Sequence, residues 1–179
     1  MKFSEDVLTS LNLEPLKEKE PVNIMKISEM LDFMKKSSER IFNKSKLYVS
    51  IDDSDIKADC VDIVATKIND FTQVFMDLVV FIRRLEKTYT VSKASLRYCI
   101  TSYETFGFSL TDCERKFLDE LLLRNEITHD YFNREIHQQK LIAIMENYSA
   151  GALDIYDNLL RYCQEHNYMD LYANNSYKK

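Results

Sequence analysis

Eight apolar residues, Val61, Val64, Ile68, Phe71, Phe75, Leu78, Ile82 and Leu85, follow one another at intervals of 3, 4, 3, 4, 3, 4 and 3. A strand alternates its faces every second residue and would scatter this set over both sides. A helix gathers it into one continuous seam. The pattern therefore predicts a single long helix over about Ser54 to Lys87, with polar or charged positions such as Lys67, Asp70, Asp77 and Arg83 between the apolar ones. A seam of that length is buried only if other helices lie along it, so a bundle is the economical architecture.

The rest of the chain agrees. Only two glycines and two prolines occur, and Pro15 and Pro21 both lie near the N-terminus. A β-rich fold or a Gly-rich phosphate loop needs more turn residues than that. Residues 1–23 form a polar lead-in. Ile27, Leu31, Met34 and Ile41 predict a helix over about Met25 to Lys44, with Ser38 interrupting its stripe, and 47–53 reads as a connector. A shorter helix is predicted over about Lys93 to Thr105, stopped by Gly107. Thr111 and Glu114 make a capping box that opens the next helix, which carries Phe117, Leu118, Leu121 and Leu122. A last helix is predicted from Asn133, on the steps Met145, Tyr148, Ala152, Ile155, Leu159 and Tyr162. The expectation is one all-α domain over 1–179, an up-and-down helical bundle. It has a lead-in at 1–23, an additional N-terminal helix, a helical core at 24–166 and a flexible tail at 167–179.

With 179 residues the chain can bury a core without a disulfide or a metal. Cys60, Cys99, Cys113 and Cys163 form no CxxC pair, so they are expected as free thiols in a reducing cytoplasm rather than as a zinc site. No apolar run suits a signal peptide or a membrane span, which predicts a soluble, cytoplasmic protein with no membrane contact. The net charge of −5 argues against passive binding of nucleic acid by a basic surface, so any RNA contact must be focused. Asp52, Asp53 and Asp55 lack the glycine and terminal glutamate of a calcium loop and suit a helix N-terminus. No Gly-rich nucleotide loop, Ser-His-Asp arrangement or HExxH is present, and no metal or cofactor is expected.

The segment Leu123-Arg124-Asn125-Glu126-Ile127-Thr128-His129-Asp130-Tyr131 places a permanent cation, a titratable imidazole and a phenol within eight residues, at the end of a well-capped helix. The bland account is a solvated arginine, a helix-terminal histidine and a rim tyrosine. The chemical account is that Arg124 offers a planar fork to phosphate oxygens while His129 moves a proton near neutral pH. Five residues turn about 500° on an ideal helix, so Arg124 and His129 point about 140° apart. Either the helix breaks near Thr128 or two chains pool their pairs. His137 and His166 are isolated and are expected to be structural or solvent-facing.

The segment resembles the R-x4-6-H motif of HEPN domains, and more narrowly the R-x4-H-x-Y form of the toxins in HEPN–MNT toxin–antitoxin pairs. The resemblance extends over about residues 54–166, from the long helix through Ser95-Leu96-Arg97 and Phe106-Gly107 to the long last helix. It implies a HEPN-like bundle and a metal-independent endoribonuclease toxin acting on tRNA or mRNA. Arg124 and His129 would be its catalytic pair, with Asn125 as the polar residue beside the arginine. It implies further a homodimer with both motifs in one cleft. The partner would be a minimal nucleotidyltransferase, the MNT antitoxin, which neutralises the toxin by AMPylation of Tyr131. Two other readings compete: a non-catalytic HEPN adaptor or nucleotide-binding partner of such a nucleotidyltransferase, favoured by the acidic charge, and a helical interaction module whose motif is accidental.

Overall fold

A computed structural model describes residues 24–91, 93–127 and 134–174. The fold is all-α. Its helices are α1 (Ile27–Ser50), α2 (Ser54–Leu85), α3 (Leu96–Glu104), α4 (Asp112–Ile127), α5 (Arg134–Ala143) and α6 (Gly151–Glu165), with a π-helical turn (Ile144–Tyr148) between α5 and α6. A three-residue strand, β1 (Ile24–Lys26), pairs antiparallel with β2 (Tyr172–Asn174), Met25 opposite Ala173. The expected lead-in at 1–23 lies outside the described residues.

The seam of α2 is buried from Val64 to Ile82, while Val61 is half-buried and Leu85 is exposed. Phe71 stacks on Phe75 and meets the edge of Phe117 from α4 at 5.5 Å, and Phe75 meets Tyr103 from α3 at 5.5 Å. Each such buried ring contributes about 1.5–3 kcal/mol over its exposed state. The acidic cluster does cap α2: the Asp53 carboxylate accepts from the backbone N–H of Asp55 and Ile56 at 2.9 and 3.0 Å.

Three boundaries differ from expectation. The connector after the first helix is shorter than 47–53, because α1 continues to Ser50. Leu47 and Tyr48 carry the α1 stripe onward and pack against the core, so extending the helix buries more than an extended segment would. The interruption at Ser38 is satisfied across the interface, where its hydroxyl donates to the carbonyls of Met34 and of Ala152 on α6, at 2.9 and 3.1 Å. The last helix is divided into α5, the π-helical turn and α6. At the start of α6 a Cβ on Gly151 would stand 2.6 Å from Phe117 Cβ and 2.8 Å from the Cys113 carbonyl oxygen. Only glycine lets α6 lie so close to α4. The tail is not loose through Asn174. Ile27 and Ser28 at the open end of α1 donate backbone N–H groups to the carbonyls of Leu171 and Met169, at 2.9 and 3.1 Å. Two of the amides that a helix start leaves without partners are thereby satisfied. Residues 175–179 lie outside the described set.

The capping box forms, with the Thr111 hydroxyl accepting from Glu114 N at 3.0 Å and Glu114 Oε2 accepting from Thr111 N at 3.3 Å. Glu114 is fully buried, and its other oxygen accepts from the Tyr103 hydroxyl and, at 3.0 Å, from Asn158 Nδ2. One carboxylate thus ties α3, α4 and α6 together. All four cysteines are free, and burial pushes the thiols of Cys99 and Cys163 up to about 12, which leaves them protonated and unreactive. Among the described residues no helix is long and apolar enough to cross a membrane.

Candidate functional site

Arg124 lies in the last turn of α4, a position that favours a cation because the helix carbonyls converge there. It does not snorkel to solvent but is only 7 % exposed. Its Nη1 donates to Asn69 Oδ1 on α2 at 2.9 Å, and its buried Nε has no hydrogen-bond partner among the described residues. Burial lowers its pKa from 12.5, and a guanidinium keeps its charge at neutral pH all the same. A buried charge whose hydrogen-bond partner among the described residues is a neutral amide is costly unless an anion completes it. Among the described residues no carboxylate has been drawn to this one, and burial is the sole cause of its shift.

Arg124 forms one wall of a pocket of about 250 Å³ between α2, α3 and α4, which Asn69, Thr72, Gln73 and Asn125 also line. Apart from the guanidinium these polar groups are hydroxyls and amides. Thr72 and Gln73 direct their donors to the Ile68 carbonyl and the Asp77 carboxylate, and Met76, Leu96 and Leu121 complete the wall, so what the pocket offers a ligand is the Arg124 charge, which suits an oxyanion. Among the described residues no group of three or more His, Cys, Asp or Glu side chains could hold a metal ion.

Of the residues singled out from the sequence, Arg124 and Asn125 both line this pocket. His129 and Tyr131 lie in 128–133, outside the described residues, and α4 runs unbroken to Ile127. The imidazole that the described structure brings near Arg124 is that of His137, on α5. Burial first and the Arg124 charge second hold it below its ordinary pKa. His137, expected to be structural or solvent-facing, thus belongs to the surroundings of Arg124. A second residue missed from the sequence is Asn69, which no spacing marks as functional. A sign of His137 was present in the chain order, since a short link between two helices folds the second back along the first and brings their adjoining ends together.

A larger pocket of about 540 Å³ lies between the loop after α3 and the end of α6. Its polar groups are engaged with one another. Arg161 donates to Asn158 Oδ1 at 2.7 Å, and the His166 ring stacks on Tyr162 at 4.0 Å with Nδ1 on the Tyr162 carbonyl at 2.8 Å. Tyr162 in turn donates to Glu86. This set braces the C-terminal end of α6 and offers no unsatisfied charge comparable with Arg124.

No protein-family model, curated protein or solved structure matches the chain.

Proposed function

We propose that the chain is a metal-independent endoribonuclease, the toxin of a HEPN–MNT toxin–antitoxin pair. The observation that carries the reading is Arg124, a buried cation in the wall of a pocket lined by both polar and apolar side chains. The scissile phosphodiester of RNA supplies such an anion. Charge builds on the phosphate oxygens as the 2′-oxygen bonds to phosphorus and the bond to the 5′-oxygen breaks, and a preorganised guanidinium stabilises that charge. His129 moves a proton between the 2′-hydroxyl, itself and the departing 5′-oxygen, and Asn125 supports the arginine. No metal is required, because the nucleophile is the hydroxyl of the RNA itself.

The test is incubation of the purified chain with tRNA and with mRNA in the presence of chelator. Cleavage is expected, and Arg124→Ala and His129→Ala are each expected to lower it by about 10²- to 10⁴-fold, the usual loss for a proton-transfer or charge-stabilising group. Cleavage at the wild-type rate by both variants would refute the assignment. The net charge of −5 favours a second reading, a non-catalytic HEPN adaptor that binds the nucleotidyltransferase. Under it the wild-type chain leaves both RNAs intact yet still forms a complex with that partner.

A further inference from the structure

Helices α4 and α5 run back along each other, and the Glu120–Lys140 ion pair at 3.3 Å fixes their register. One turn beyond Glu120 on α4 stands Arg124, and about one turn before Lys140 on α5 stands His137. The two residues therefore stand at about the same level of the joint, close enough for the Arg124 charge to act on the His137 ring. Each brings a buried nitrogen with no hydrogen-bond partner: Nε of Arg124 and Nε2 of His137. Unsatisfied buried polar atoms are costly, and two in neighbouring side chains seldom coincide without a reason. Their chemistry is complementary. Arginine Nε–H can only donate, whereas an unprotonated imidazole nitrogen accepts.

We propose that His137 is the positioning residue of the Arg124 site: a small turn of the two side chains, which are not bonded to each other as they stand, lets the unprotonated Nε2 accept a hydrogen bond from Arg124 Nε–H across the α4/α5 joint. The guanidinium is then held at two points by neutral acceptors, Asn69 on Nη1 and His137 on Nε. Neither cancels its charge, so Nη2 and the remaining Nη1 hydrogen present a fixed, full positive charge to the pocket. A carboxylate in either place would hold the arginine equally well and quench it. Burial and the Arg124 charge both keep the His137 ring neutral, the state in which it can accept. In this arrangement His137 transfers no proton to the substrate. It makes Arg124 a rigid receptor for a phosphate oxyanion, and the identity of that phosphate as RNA rests on the function proposed above.

Long-range ¹H–¹⁵N spectra of the imidazole rings in the full chain test the bond directly. The chain has only three histidines, so His137→Gln identifies the signal. At neutral pH His137 is expected to carry its proton on Nδ1 and none on Nε2, and the Arg124 Nε–H resonance is expected to persist in His137→Gln, whose side-chain oxygen still accepts, and to vanish into exchange in His137→Phe. A proton on Nε2 overturns the proposal, whatever is found for RNA. In cleavage assays His137→Phe is expected to lose at least tenfold in kcat/KM and His137→Gln to recover most of it. Cleavage by His137→Phe at the wild-type rate overturns the positioning role and leaves the ribonuclease reading standing. A wild-type chain that cuts no RNA defeats the ribonuclease reading, and the spectra alone then decide the hydrogen bond.

Discussion

At Glu114 burial and hydrogen bonding oppose each other. Desolvation raises its pKa above 4.5 more than the donors Tyr103, Asn158 and Thr111 lower it. A carboxyl raised in the folded state is bound more tightly to its proton there than in the unfolded chain. Its contribution to stability is full below the unfolded value and is lost as pH rises through the folded one. The unfolding free energy of the wild type relative to Glu114→Gln should therefore fall between pH 4 and neutrality, starting near the ordinary value of 4.5. Urea melts of both chains at several pH values measure it, and a difference that grows with pH refutes the account. Glu114→Gln also turns an amide toward Thr111 N–H, so a capping loss of about 1 kcal/mol is expected at neutral pH. Tyr131 is tested chemically. Under the proposed function, co-expression with the nucleotidyltransferase encoded beside it should add AMP at Tyr131, read by intact and peptide mass spectrometry. Tyr131→Phe should stay toxic beside that partner. Full neutralisation of the variant, with no adduct on the wild type, would show control by binding alone.

The element most sensitive to a small change is α6, whose first residue is in close contact with α4. A methyl on Gly151 would lie 2.6 Å from Phe117 Cβ and 2.8 Å from a backbone carbonyl, neither of which can swing aside. Gly151→Ala should destabilise by about 1–3 kcal/mol, the usual range for overpacking. In chemical denaturation, a variant as stable as wild type would show that α4 and α6 can separate freely. The same contact sets the direction of α4, and with it the place of Arg124 against Asn69 on α2. The capping box at Thr111 and Glu114 adds to this, since Glu114 also binds α3 through Tyr103 and α6 through Asn158. The helix that carries the candidate site is thus fixed at its start by polar bonds and along its length by close packing.

At the scale of the whole molecule the proposed function makes a demand on assembly. Five residues of ideal helix would set Arg124 and His129 about 140° apart, and α4 is continuous as far as Ile127. A composite site in which each of two chains completes the other removes the difficulty, and a twofold, self-complementary contact is the common way to build one. Under the proposed function the purified chain should therefore scatter light as a homodimer. A monomer that still cleaves RNA would exclude the composite site and place both residues in one chain.

The sequence by itself determined the helices. The α2 seam, the capping box and the Asp53 N-cap are patterns of neighbours along the chain, and their geometry follows from the helix period and from backbone groups needing partners. It also marked Arg124, because a cation at the end of a well-capped helix beside an imidazole and a phenol stands out locally, whereas Asn125 was marked only through the family resemblance. The course of the tail and the neighbours of Arg124 were decided only by the tertiary structure. Residues 167–174 look polar and loose in sequence, yet the open amides of α1 give their backbone partners. Asn69 and His137 lie 55 positions before and 13 positions after Arg124. Their meeting depends on the register of α4 against α2 and α5, set by packing at Phe117 and Gly151 and by Glu120 with Lys140. Helical periodicity gives the face on which a residue lies but not the height at which two helices meet, and that height determines which polar side chain stands beside the buried charge.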